Sequence, residues 1–212
     1  MRNVFVDDPD FQDAASAWAV EEERHGEVLG RWAPLADPAF DYAASLAQFR
    51  DGISVPVDVE ASVRGTRSGE LIARCVVEAG TSSLYSAIAA ASIEPVLAEI
   101  CRRIAADEFR HYKLFHDTLC AYLDIEDIGR WRRVWVAFGR ILETEDDELA
   151  FAYHCANHSH LAYDRARCAR AFARRIYRVY RRLHIERAVS MVLKAMGFSP
   201  RGRIGRGLAH GA

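Results

Sequence analysis

Apolar residues recur every three or four positions along most of this chain, in long runs separated by short polar breaks. Asp8-Pro9 has the form of a helix start, Asp as cap and Pro in the first turn, and the pattern continues to about Leu35. Asp37-Pro38 repeats the signal and predicts a shorter helix to about Arg50. Residues 51–67 carry Gly, Pro and β-branched residues and read as a loop. Ser68 is the predicted cap of a helix to about Ser92, and Glu94-Pro95 opens another to about Leu123. After a turn near Asp124–Asp127, helices are predicted over about 128–143 and 146–157. One long Arg-rich helix follows from about Asp164 to Met196, then a basic, Gly-rich tail over 197–212 expected to be flexible. No strand-like alternation of any length occurs. The predicted fold class is all-α: one helical-bundle domain over residues 1–196, with additional C-terminal helices.

Composition adds an asymmetry. The net charge of the 212 residues is only −2, but 13 Lys and Arg face two acids from residue 161 onward, against 15 and 28 before it. An acidic body with a basic C-terminal segment predicts one electropositive face. The five cysteines form no C-x-x-C pair, which excludes a zinc ribbon or a thioredoxin-like motif. Isolated cysteines fit reduced thiols, hence a cytoplasmic location. No signal peptide and no apolar run long enough for a membrane span is read from the sequence.

Two segments share one pattern. Glu21-Glu22-Glu23-Arg24-His25 and Asp107-Glu108-Phe109-Arg110-His111 both read acid-Glu-x-Arg-His. Glu and His three apart share one face of a helix turn, so a carboxylate oxygen and an imidazole nitrogen reach the same side. The five-residue form arises by chance on the order of once per hundred such chains, and here it occurs twice. Bundles that hold two metal ions use two such helices plus a Glu from each of two others. Glu78 offers a third element. It shares a mostly apolar face with Leu71, Cys75, Ser82 and Tyr85, where a charge is costly unless paired or bound to a cation. Arg74, one turn earlier, offers the alternative of a structural salt bridge.

The segment Ala17-Trp18-Ala19-Val20-Glu21-Glu22-Glu23-Arg24-His25-Gly26 resembles the first metal-binding helix of soluble acyl-acyl-carrier-protein desaturases. Glu99-Ile100-Cys101-Arg102-Arg103-Ile104-Ala105-Ala106-Asp107-Glu108-Phe109-Arg110-His111 resembles their second. The likeness covers about residues 10–120, and its simpler E-x-x-H form is shared with other ferritin-like di-iron oxidases. The resemblance implies a ferritin-like bundle with two iron ions, manganese being the alternative. Glu22 and Glu108 match the bridging carboxylates, His25 the histidine of one ion, His111 that of the other, and Glu78 the terminal carboxylate beside His111. Thr81 matches a threonine at the oxygen-binding face and implies a proton relay; the alternative is a hydroxyl bonded back to the helix. Asp107 and Glu21 adjoin the ligands as candidate orienting acceptors for the histidines.

The family takes one further terminal Glu from a helix upstream of the Trp18 segment, where this chain has only Asp7, Asp8, Asp10 and Asp13. The resemblance thus implies one ion with a full ligand set and one short of a ligand. A truncated start, a substitute such as Glu148, and a partial site are the alternatives. The activity implied is that of an O₂-activating di-iron oxidoreductase acting on a fatty acyl chain. It would need an external electron donor such as a ferredoxin, an acyl carrier protein docked on the basic C-terminal face, and a homodimer. A ferritin-like iron-binding or ferroxidase protein, or a scaffold with a vestigial site, is the second reading. A ferritin-like RNA hydroxylase is the third, although no base-reading motif supports nucleic-acid binding. His154, His158 and His160 read as solvated residues near a helix end rather than as ligands. The arginines over 165–182 read as a solvated or docking surface, and Trp131 and Trp135 as core.

Overall fold

A computed structural model describes residues 2–53, 59–143 and 147–200. A 3₁₀ turn at Arg2–Phe5 precedes α1 (Pro9–Ala36), α2 (Tyr42–Gly52), α3 (Arg67–Ala91), α4 (Pro95–Leu123), α5 (Arg130–Glu143), α6 (Asp147–Asn157), α7 (Arg165–Val179) and α8 (Arg182–Ala195). Among the described residues there is no strand, so the all-α bundle expected from periodicity is the architecture observed. No described helix is long and apolar enough to cross a membrane. The predicted tail from 201 onward, and residues 54–58 of the predicted loop, lie outside the described residues.

α3 is central because it is apolar on most of its circumference: Leu71, Ile72, Ala73, Cys75, Val76, Ala79 and Ala87 are all buried. It packs against α4, α5, α7 and α8, while α1 packs on α4, and α6 bridges α2 and α7. The three-residue link Ser92–Glu94 makes α3 and α4 an antiparallel pair. Glu94 caps α4 by accepting from the Val96 and Leu97 amides at 2.9 and 2.6 Å, and also holds the Trp32 indole of α1 at 2.9 Å. Phe5, Phe11, Leu71, Phe115, Leu119, Tyr122 and Met191 form the main apolar core at one end of the α1–α3–α4 group. The absence of a side chain at Gly30 lets the Tyr42 ring lie against α1, where a Cβ would sit 2.3 Å from it.

Several sequence expectations need correction. α2 starts at Tyr42, capped by Asp41, since Asp37 instead closes α1 by donating its amide to the Ala33 carbonyl. Thr66, not Ser68, caps α3: its hydroxyl accepts from the Gly69 amide at 2.9 Å, and Ser68 is buried in the first turn. The long C-terminal helix is two, broken at extended Tyr180 and Arg181. The break is tertiary in origin. The Ser83 hydroxyl of α3 donates to the His184 carbonyl at 2.9 Å, and the His184 ring accepts from the Arg181 amide at 3.1 Å, so α8 begins afresh against α3. Trp131 and Trp135 are not core residues: they are 78% and 73% exposed.

Candidate metal centre

Three helices converge on one cluster. α1 supplies Glu21, Glu22 and His25, α3 supplies Glu78 and Thr81, and α4 supplies Asp107, Glu108 and His111. Glu78 and Glu108 are among the largest fully buried side chains of the protein. Two buried carboxylates beside one another are costly unless a cation lies between them. Arg74 is not that cation: it pairs with Glu70 at 3.5 Å and lies over the Trp18 ring.

The carboxylates are arranged as bridges. Glu22 directs Oε2 toward His25 Nδ1 at 3.7 Å and Oε1 toward His111 Nδ1 at 3.1 Å. Glu108 does the same, with Oε1 3.4 Å from His25 Nδ1 and Oε2 4.0 Å from His111 Nδ1. Glu78 adds its Oε2 at 3.7 Å from His111 Nδ1. Ligand atoms of Glu22, Glu78, Glu108 and His111 lie within 4.8 Å of one another, and among the described residues this is the group so gathered. His25 stands across Glu22 and Glu108 from His111. The cluster therefore has two unequal halves: Glu22, Glu108, Glu78 and His111 on one side, and Glu22, Glu108 and His25 on the other.

Both histidines are held from outside, and the pairing crosses between helices. His25 of α1 meets Asp107 of α4 through Nε2 at 3.1 Å, and His111 of α4 meets Glu21 of α1 through Nε2 at 2.8 Å. With each Nε2–H donating outward, both Nδ1 atoms face the carboxylates. Arg110 ties the two acceptors together, touching Asp107 at 2.5 Å and Glu21 at 3.4 Å. The acid ahead of each Glu in the two motifs was the signal for these acceptors; the crossing itself depends on how α1 lies on α4. The Thr81 hydroxyl is 2.6 Å from Glu108 Oε2, and 3.2 and 3.3 Å from the Val77 and Glu78 carbonyls. A hydroxyl has one proton to give, and the contact to Glu108 is the shortest of the three.

His25 Nδ1, His111 Nδ1 and Glu78 Oε2 are buried without a hydrogen-bond partner, and all three face the space between the carboxylates. Unpartnered atoms of this kind on a Glu and His set fit a bound cation. The protonation pattern agrees. Burial works against charge on His25, but Glu108, Glu22 and Asp107 outweigh it and hold the imidazole proton up to about 10. Burial likewise opposes charge on His111, which Glu22, Glu78 and Glu21 raise to about 10. Burial would raise the Glu22 carboxyl, yet contact with His111 and His25 brings it down to about 2. Burial, with Glu108 adjacent, raises Glu78. The cluster without metal therefore demands positive charge and takes it as protons.

The other candidates do not converge. Glu148 is exposed on α6 and no part of the cluster. His154 is buried rather than solvated, between the rings of Phe151 and Tyr163 at 5.9 and 5.2 Å, while His160 is exposed. The α7 arginines are mostly exposed, with Arg175 over Tyr153 and bonded to Asn157 at 3.1 Å. Compared with known proteins, the chain matches no family model, no curated protein and no solved structure.

The crossed acceptors carry a prediction. Asp107→Ala frees the His25 ring and weakens metal binding on that half by about tenfold, while Asp107→Asn, which still accepts at its amide oxygen, loses less. Metal titration by calorimetry checks this; equal affinities in all three proteins would remove the orienting role.

Proposed function

We propose that this chain is a carboxylate-bridged di-iron protein of the ferritin-like kind whose centre activates O₂ to oxidise an apolar substrate. One observation carries the reading: Glu22 and Glu108 each extend one oxygen toward His25 and the other toward His111. A mononuclear site has no use for two carboxylates turned both ways, whereas a pair of cations is bridged by them. Oxygen and nitrogen donors without sulfur suit iron or manganese. When bound, the ions supply the electron transfer to O₂ that no side chain here can supply.

The chain's own residues do the rest. Glu78 and His111 would complete the ligand set of one ion together with Glu22 and Glu108, and His25 would hold the other with the same two carboxylates. Thr81 stands against Glu108 and holds one proton at its Oγ, which supports the proton-relay role. Glu22 is the least buried of the five ligand candidates, with 35% of its side chain exposed, so approach from solvent is on the α1 side. The resemblance to acyl-acyl-carrier-protein desaturases names a fatty acyl chain as the first substrate to try, with an external reductant such as a reduced ferredoxin.

The test is anaerobic loading with ferrous iron, followed by O₂ in the presence of a reductant and an acyl thioester. About two irons per chain, O₂ uptake and an oxidised acyl product are expected. Uptake of O₂ that ends once the iron is ferric, with the acyl chain untouched under reductant, would assign a ferroxidase instead.

A further inference from the structure

α5 docks on α3 with one side only. Its inner side carries Val136 and fully buried Ala137. A second apolar side faces outward: Trp131, Trp135, Phe138 and Leu142 are 78%, 73%, 51% and 53% exposed, and Ile141 beside them is 46% exposed. Steps of four, three and four residues place those four side chains on a single stripe, the spacing of a helix–helix seam. Single exposed apolar residues are ordinary, but this stripe is continuous and presents on the order of 600 Å² of aromatic and aliphatic surface, the size that marks a protein contact.

We propose that the stripe is a homodimer interface in which α5 packs antiparallel on α5 of a second copy, about a two-fold axis passing between Val136 and Ala137. The sequence is self-complementary about that point. Trp131 and Leu142 lie equally far from it, as do Trp135 and Phe138. Each Trp therefore meets the smaller apolar group of the other copy, and every contact is made twice, as a two-fold interface requires. Charge selects the same arrangement. Arg130 and Arg132 stand exposed at the start of α5, while Glu143 at its end is held by Arg64 and Arg140 of the same copy. Antiparallel packing keeps the exposed arginines of the two copies at opposite ends of the seam and opposes the helix dipoles; a parallel pair would gather them. A lipid surface fits less well. An interfacial helix needs basic residues along its outer margins, and here Arg133 and Arg140 turn inward, to the Ile128 carbonyl at 2.9 Å and to Glu143 at 4.0 Å. None of these observations involves the metal cluster.

Sedimentation equilibrium on the 212-residue chain, with and without Trp135→Glu and Phe138→Glu, tests the proposal. The unaltered chain is expected to dimerise. Each variant is expected to raise the dissociation constant at least ~100-fold, because a carboxylate would be buried against an aromatic ring. Helical content of the variants stays unchanged, since both side chains are exposed in the protomer, and their melting temperature matches that of the unaltered chain diluted below its dissociation constant. In a Cys120→Ser background, which removes the exposed thiol, Trp131→Cys with Leu142→Cys should cross-link two copies under mild oxidation, and Trp131→Cys alone should not. A monomeric unaltered chain, a dimer that persists in both variants, or binding of monomers to anionic phospholipid vesicles would each overturn the proposal.

Discussion

Glu108→Ala is expected to abolish paired metal binding. The carboxylate lies between the two histidines, 3.4 Å from His25 Nδ1 and 4.0 Å from His111 Nδ1, and also receives the Thr81 hydroxyl. Its removal takes one donor from both halves of the cluster. The half with Glu22, Glu78 and His111 keeps three donors; the half with Glu22 and His25 keeps two. Loading with ferrous iron should fall from about two ions per chain to one or none. Single-ligand variants then separate the halves. His25→Ala should retain one tightly bound ion on the three-carboxylate side, whereas His111→Ala takes the nitrogen donor from that side and weakens binding there. Glu148→Ala, at an exposed position on α6, should load as the unaltered chain does. Elemental analysis after gel filtration reads all four proteins, and full occupancy in Glu108→Ala would sink the bridging assignment.

The metal-free protein is expected to lose stability as pH rises from about 6.5 to 10, and the metal-loaded protein is not. His25 and His111 are held at about 10 in the fold, above the ordinary 6.5 of an unfolded chain. A group with a raised pKa contributes its stability in full below the unfolded value and loses it as pH climbs through the folded one. Glu78, raised by burial, adds to the loss, because burial opposes the charge it must take at higher pH. Glu22 acts in the opposite window. Held at about 2, its contribution is present above 4.5 and disappears as pH falls toward 2. The metal-free chain should thus be most stable between about 4.5 and 6.5, and its Tm should fall by roughly 5–10 °C between pH 6.5 and 10. Bound cations replace both histidine protons, so loading at pH 7 releases at least two protons per centre and weakens on acidification. Melting curves of the two forms across pH, with calorimetry in buffers of different ionisation heat, measure both effects. Parallel curves for the two forms would show that the histidines do not exchange protons for metal.

Much of the site was legible because it is local. A Glu and a His three apart reach one side of a helix whatever the rest of the chain does, and a Glu within an apolar stretch such as Leu71–Tyr85 is a cost that asks for a reason. The five proposed ligands could be named on that basis, Thr81 only through the family resemblance, and the structure brings all of them to one place. The α5 stripe was misread for the same local reason. Trp131 and Trp135 have the spacing of a packed face, and periodicity does not distinguish a face turned to the core from one turned outward.

By itself the sequence determined helix positions to within a few residues, the all-α class, and the two acid-Glu-x-Arg-His faces, since these follow from spacing and from the cost of burying charge. Only the tertiary structure decided what depends on how helices lie on one another. It paired Asp107 with His25 and Glu21 with His111 across α1 and α4, and it denied Arg74 to Glu78. It broke the C-terminal helix where Ser83 of α3 takes hold of His184. It also left one side of α5 uncovered. Each of these is set by a contact between residues far apart in the chain, which local periodicity does not encode.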